Sequence, residues 1–264
     1  MKAIKNILSI CSVALLLGSC QADLLETKPY GNVAAGNMWT SENFADKGVT
    51  AIYSTLRKSY VGLGLYQMDC LGVSTDCRDA DYPIMRNTIT TSNGMFSSYW
   101  SEHYSGISRA NDAIVHLPEV DMPENKKARY MAEAKVLRAY FYYKLNIMYK
   151  GVPVYLEPVE ASECTKGQET EAAVWQVIED DLTAAINEPN LPNIYTEGSS
   201  DYGRVTKGLA YALRGKTYLY MKDWKKAIED FEEIVYNKTN QYGYKLYPDY
   251  SALFTSAGPV PNDN

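Results

Sequence analysis

The sequence predicts a mostly α-helical chain built from successive helix pairs, with irregular loops and a few short strands between them. Three observations carry that prediction. Tyr130, Ala134, Leu137, Phe141, Leu145 and Met148 recur at spacings of four, three, four, four and three, which lines one face of a helix about five turns long. Further periodic runs are bounded by Ser41, Pro118, Gly151, Pro189 and Pro192, residue types that start or stop helices. Between Thr206 and Tyr236, Gly215, Tyr218, Ala227 and Phe231 set small, aromatic, small and aromatic side chains at the spacing of a tetratricopeptide motif.

Residues 1–19 read as an export address and not as part of the fold. Lys2 and Lys5 form a basic start, and Ile7 to Leu17 is an apolar stretch too short to remain as a membrane span. Leu17-Gly18-Ser19-Cys20 then reads as a lipobox, in which cleavage precedes the cysteine and lipid is attached to its thiol. Cys20 is therefore expected to open the mature chain. Two or three acyl chains hold a protein at a membrane stably where one gives only marginal binding. Residues 20–40 read as a polar, lipidated tether, and residues 41–264 as the folded domain.

Within that domain Ser41 is the expected cap of a helix from Glu42 to Tyr60, with Phe44, Val49, Ile52, Tyr53 and Leu56 inward. Residues 61–97 lack sustained periodicity. A second helix is expected from Ser98 to Leu117 through Trp100, Tyr104, Ile107, Ala110 and Ile114, closed by Pro118. The third runs from Glu124 to Lys150. Tyr140, Tyr142, Tyr143, Ile147 and Tyr149 fall outside its main stripe, so it is expected to pack on several sides. Gly151 stops it and Pro153 enforces the stop, leaving an extended run from Val152 to Leu156. A fourth helix covers Thr170 to Asn187. In the last pair Gly215 and Ala227 allow close approach, Tyr218 and Phe231 fill the gaps beside it, and Lys222-Asp223 makes the turn.

Composition narrows the chemistry. The formal charge is −6, and −8 without Lys2 and Lys5, so no electrostatic site for nucleic acid is expected. Twenty-three tyrosines against five phenylalanines put hydroxyls on most aromatic surface, although most must fill helix interfaces. Cys70, Cys77 and Cys164 remain once Cys11 and Cys20 are set aside, and sequence does not decide whether Cys70 and Cys77 pair. His103 and His116 have no partner at ligand spacing, and Asp79-Ala80-Asp81 lacks the glycine and terminal glutamate of a calcium loop, so no metal or other cofactor is expected. No nucleophile elbow, zinc-protease helix, phosphate loop or dinucleotide fingerprint occurs, and the chain is not read as an enzyme.

Ala132-Glu133-Ala134, Leu137 to Tyr143, Leu145, and Tyr149-Lys150-Gly151-Val152-Pro153-Val154 together resemble the hallmark of the SusD/RagB family, the surface glycan-binding lipoproteins of Bacteroidetes. The resemblance implies tetratricopeptide-like helix pairs forming a right-handed superhelical scaffold, and a lipid-anchored place on the outer face of the outer membrane. It implies an oligosaccharide or polysaccharide ligand and a SusC-like TonB-dependent transporter as partner. A helical-repeat scaffold for a protein or peptide is the alternative. Family members usually run to about twice this length, so a fragment, a truncated product without binding activity and a short variant are all open. In a truncated chain the last helix pair would expose apolar surface.

The irregular stretch Gly72 to Asn93 is the expected ligand-binding region. Sugar recognition needs aromatic faces for the C–H side of a pyranose and polar groups for its hydroxyls. Asp76, Arg78, Tyr82, Arg86 and Asn93, with Trp100 just beyond, supply both kinds. For Trp100 packing into the helix layer is the competing role.

Overall fold

The computed structural model describes residues 38–63, 69–70, 72, 82–236, 241–246 and 248–251. The export address, Cys20, most of the tether, Asp76, Cys77 and Arg78 lie outside those residues. Cys70 is buried and carries a free thiol.

Among the described residues, six helices of three turns or more follow one another: α1 Glu42–Thr55, α2 Gly94–His116, α3 Glu124–Tyr149, α4 Glu171–Asn187, α5 Lys207–Met221 and α6 Trp224–Val235. Most begin on a side-chain cap. Ser41, Asn93, Thr170, Thr206 and Asp223 each accept a hydrogen bond from a backbone N–H of the first turn. Each helix packs on the next in sequence. Contacts give their sense: Arg138 and Asn146 of α3 reach Asp181 and Glu171, so α3 and α4 run antiparallel. Arg109 to Ala51 with Glu102 to Tyr60 orders α1 against α2 in the same way, and Thr183 to Arg214 with Glu179 to Tyr218 orders α4 against α5. The result is the expected array of helix pairs.

Two boundaries differ from the sequence reading. Helix α1 ends at Thr55, and the chain then makes a wide π-type turn over Ser59–Leu63. The Glu102 carboxylate on α2 accepts the Tyr60 N–H at 2.7 Å, taking a donor that a continuing helix would have used. Helix α2 starts four residues earlier than Ser98, because Asn93 supplies the cap, its Oδ1 accepting the Met95 N–H at 2.9 Å.

Helix α3 is the centre of the core. Tyr130, Phe141, Tyr142 and Leu145 are wholly buried on it, and Phe141 and Leu145 are each worth about 1.5–3 kcal/mol on transfer from water. Gly106 of α2 faces the Phe141 ring so closely that a Cβ would overlap it, which sets the α2–α3 approach. Charges are buried beside these rings. Arg138 pairs with Asp181 through two bonds of 2.7 and 2.8 Å. Glu133 is fully buried and held by Arg204 at 3.0 Å and by the Tyr53 hydroxyl at 2.8 Å. Burial pushes the Glu133 carboxyl up, and Arg204 opposes that shift.

The helix stop is shared between two residues. Lys150 takes the left-handed conformation at φ 57°, and Gly151 follows at φ 110° with the Glu169 carbonyl against it where a Cβ would sit. Among the described residues no strand forms. The run from Val152 is extended, but the Tyr142 hydroxyl serves as its neighbour, accepting the Tyr155 N–H and donating to the Tyr155 carbonyl at 2.8 Å each. On the last pair Leu219, Tyr220, Trp224, Ile228 and Val235 are exposed. No helix among the described residues is long and apolar enough to cross a membrane.

Candidate ligand-binding site

One face of α2, carrying Trp100, Tyr104, Ser108 and Asn111 at helical spacing, opposes the chain that leaves α3. Between them lies a concavity of about 540 Å³, closed on the far side by Pro153, Tyr155, Glu157 and Lys166. Four side chains hang the extended wall on the helices. The Tyr104 hydroxyl donates to the Pro153 carbonyl at 2.6 Å, and Asn111 Nδ2 donates to the carbonyls of Tyr155 at 2.9 Å and Glu157 at 3.2 Å. Arg138 Nη1 donates to the Leu156 carbonyl at 3.1 Å, and Tyr142 bridges Tyr155.

The rings form a connected wall. Trp100 tilts against Tyr104 at 4.9 Å between centroids and meets Tyr149 edge-on at 5.0 Å, while Tyr104 meets Tyr155 edge-on at 6.4 Å. Lys166 Nζ stands over the Tyr155 ring at 5.1 Å, and its backbone N–H donates to the Tyr155 hydroxyl at 3.0 Å. Burial raises the Tyr104 phenol, and lifts that of Tyr142 to about 12, so both hydroxyls stay neutral at physiological pH. The concavity therefore offers aromatic surface together with a carboxylate, an ammonium and serine hydroxyls. That combination suits a ligand with an apolar face and hydroxyl edges.

The residues expected at the site fare differently. Trp100 lines the concavity and also packs against the helix layer. Asn93 lies seven residues before it, about 10 Å along α2, with its side-chain oxygen engaged as the helix cap. Arg86 is exposed just after a single helical turn, Tyr82–Met85, which contains the backbone of Tyr82. Asp76 and Arg78 lie outside the described residues. Tyr155, Glu157 and Lys166 were not singled out from sequence. The signal for Tyr155 and Glu157 was the alternation after Pro153, which puts Pro153, Tyr155 and Glu157 on one side of an extended run.

Fold and concavity together define a helical-repeat scaffold with a preformed recess. The family model described as SusD-like, starch-binding associating with outer membrane, matches residues 24–219. The chain belongs to that SusD-like family. SusD-like protein P38 of Formosa agariphila is 27% identical over 236 residues, 86% of this chain and 45% of that protein. Among solved structures, a laminarin-binding SusD-like protein superposes with a TM-score of 0.71 at 35% identity, covering 81% of this chain and 48% of its own. The surface glycan-binding protein A of Bacteroides uniformis superposes at 0.69 with 26% identity, covering 83% and 50%. The chain thus spans about half the length of the relatives it matches.

Proposed function

We propose that this chain is a non-catalytic carbohydrate-binding lipoprotein, anchored through Cys20 in the outer face of the outer membrane. It captures oligosaccharides and passes them to a SusC-like TonB-dependent transporter. The observation that carries the reading is the recess walled by Trp100, Tyr104 and Tyr155, whose rings and flanking polar groups fit the two kinds of surface a sugar presents. The likeness to a laminarin-binding protein at 35% identity supports it. Asp76, Arg78, Tyr82, Arg86 and Asn93, on the chain leading into α2, are proposed as further sugar contacts.

Affinity electrophoresis of the full chain against a polysaccharide panel that includes laminarin and starch tests the reading. At least one glycan should retard the protein, and Trp100→Ala should weaken that binding about tenfold, the loss of one stacking ring. If no glycan retards the chain while a barrel transporter still co-purifies with it, capture of sugar is ruled out. A scaffold that holds a protein or peptide then gains, and the exposed apolar side chains of α5 and α6 are what favour that second reading.

A further inference from the structure

The first two turns of α3 and the connection from α4 to α5 enclose another concavity, about 610 Å³, that shares no residue with the Trp100 recess. It is lined by Lys126 and Arg129 from α3 and by Asn190, Tyr195, Ser199 and Asp201 from the connection. Its floor is held rigid by ion pairs. Arg129 Nη1 donates to Asp201 at 2.8 Å and its Nε lies 3.5 Å from Glu133, while Arg204 joins Asp201 and Glu133 at 3.0 Å each. Lys126 Nζ meets Glu42 at 2.7 Å. The Tyr195 hydroxyl donates to Glu133 at 3.4 Å, which fixes its ring against the same cluster.

Charge counting selects the ligand. Lys126, Arg129 and Arg204 face Glu42, Asp46, Glu133 and Asp201, so the cations are already balanced and an anionic ligand would meet net negative charge. A neutral polyol meets no such penalty. Its hydroxyls can donate to the Asp201 carboxylate and accept from the Lys126 ammonium and the Asn190 amide, while the Tyr195 ring offers a face for C–H groups. Preorganised polar groups lose little entropy on binding. We infer that this concavity is a second saccharide site, specific for a neutral sugar and independent of Trp100.

The test compares the full chain with Trp100→Ala, and with that variant carrying either Tyr195→Ala or Asn125→Arg, by affinity electrophoresis in laminarin, starch and alginate gels. Asn125 is an exposed residue at the rim and makes none of the ion pairs, so Asn125→Arg blocks the concavity without removing any of them. Circular dichroism melts confirm that each variant folds. The inference expects Trp100→Ala to keep measurable retardation in a neutral gel and either added change to reduce it about tenfold. Retardation that survives both additions overturns the second site. So does its complete loss in Trp100→Ala alone, an outcome that leaves the Trp100 recess standing. Retardation unchanged by Trp100→Ala but lost with Tyr195→Ala supports the second site and removes the first. Stronger retardation in alginate than in either neutral gel overturns the neutral class, and a wild-type chain retarded by no polysaccharide removes both sites.

Discussion

Arg138→Leu is expected to cost about 4 kcal/mol. The guanidinium makes four bonds from a nearly buried position: two to Asp181, one to Asn111 Oδ1 at 2.8 Å and one to the Leu156 carbonyl at 3.1 Å. Removing it leaves the Asp181 carboxylate inside the core without its partner, and breaking a buried pair from one side costs roughly 3–5 kcal/mol. With a urea slope of about 2 kcal/mol/M, the unfolding midpoint should fall by about 2 M. The penalty depends on pH. Burial already pushes the Asp181 carboxyl up, and Arg138 is what opposes that shift. Without Arg138 the folded value rises further above the unfolded value of about 3.9, so the folded state holds a proton the unfolded state has released, and stability falls as pH rises through that interval. The deficit of Arg138→Leu should therefore be smaller near pH 4 than at pH 7. Arg138→Leu/Asp181→Leu should recover most of the loss, because a matched apolar pair is often neutral. A single variant within 1 kcal/mol of wild type, or a double variant no better than the single one, refutes the argument.

His103 supplies a second pH effect. It is fully buried, its Nδ1 lies 2.7 Å from the Tyr99 carbonyl, its Nε2 has no partner among the described residues, and burial lowers its pKa from 6.5 to about 4. The unfolded chain takes up this proton first, so the contribution is complete above about pH 6.5 and is lost as pH falls toward 4, up to about 3 kcal/mol in all. Urea midpoints of wild type and His103→Phe should converge or cross over that interval, and parallel curves would rule the effect out. Gly106→Ala should lower stability by about 1–3 kcal/mol in the same assay, since its Cβ would enter the Phe141 ring in a packed core. A neutral result there would mean that α2 and α3 can separate freely.

Helix identity and pairing were legible in sequence because they depend on local periodicity and caps. The aromatic stripe of α3, the Thr170 to Asn187 run and the Gly215–Phe231 contact all stand where spacing put them. The end of α1 was not legible. Its cause is Glu102, a side chain forty-two residues away that captures Tyr60 N–H. Buried charge was hidden for a related reason: Glu133 and Arg138 look like solvated residues until their partners arrive, Arg204 from the connection between α4 and α5 and Asp181 from α4. Of the candidate site, Trp100 was legible as an aromatic beside an irregular stretch. Lys166 was not, because the hydrogen bond that brings it to Tyr155 spans eleven residues of irregular chain.

The Tyr142 hydroxyl, standing in for a neighbouring strand, separates two design problems in this protein. A sheet would tie one wall of the recess to a continuous ladder, and any change of length there would shift the register of everything paired to it. Here the wall is pinned at a few side-chain anchors, Tyr104, Asn111, Arg138 and Tyr142, all rooted in α2 and α3. The 158–165 connection beyond the pins can lengthen, shorten or change composition while the helices keep their packing. The breadth and lining of the recess are thus an adjustable part mounted on a fixed frame.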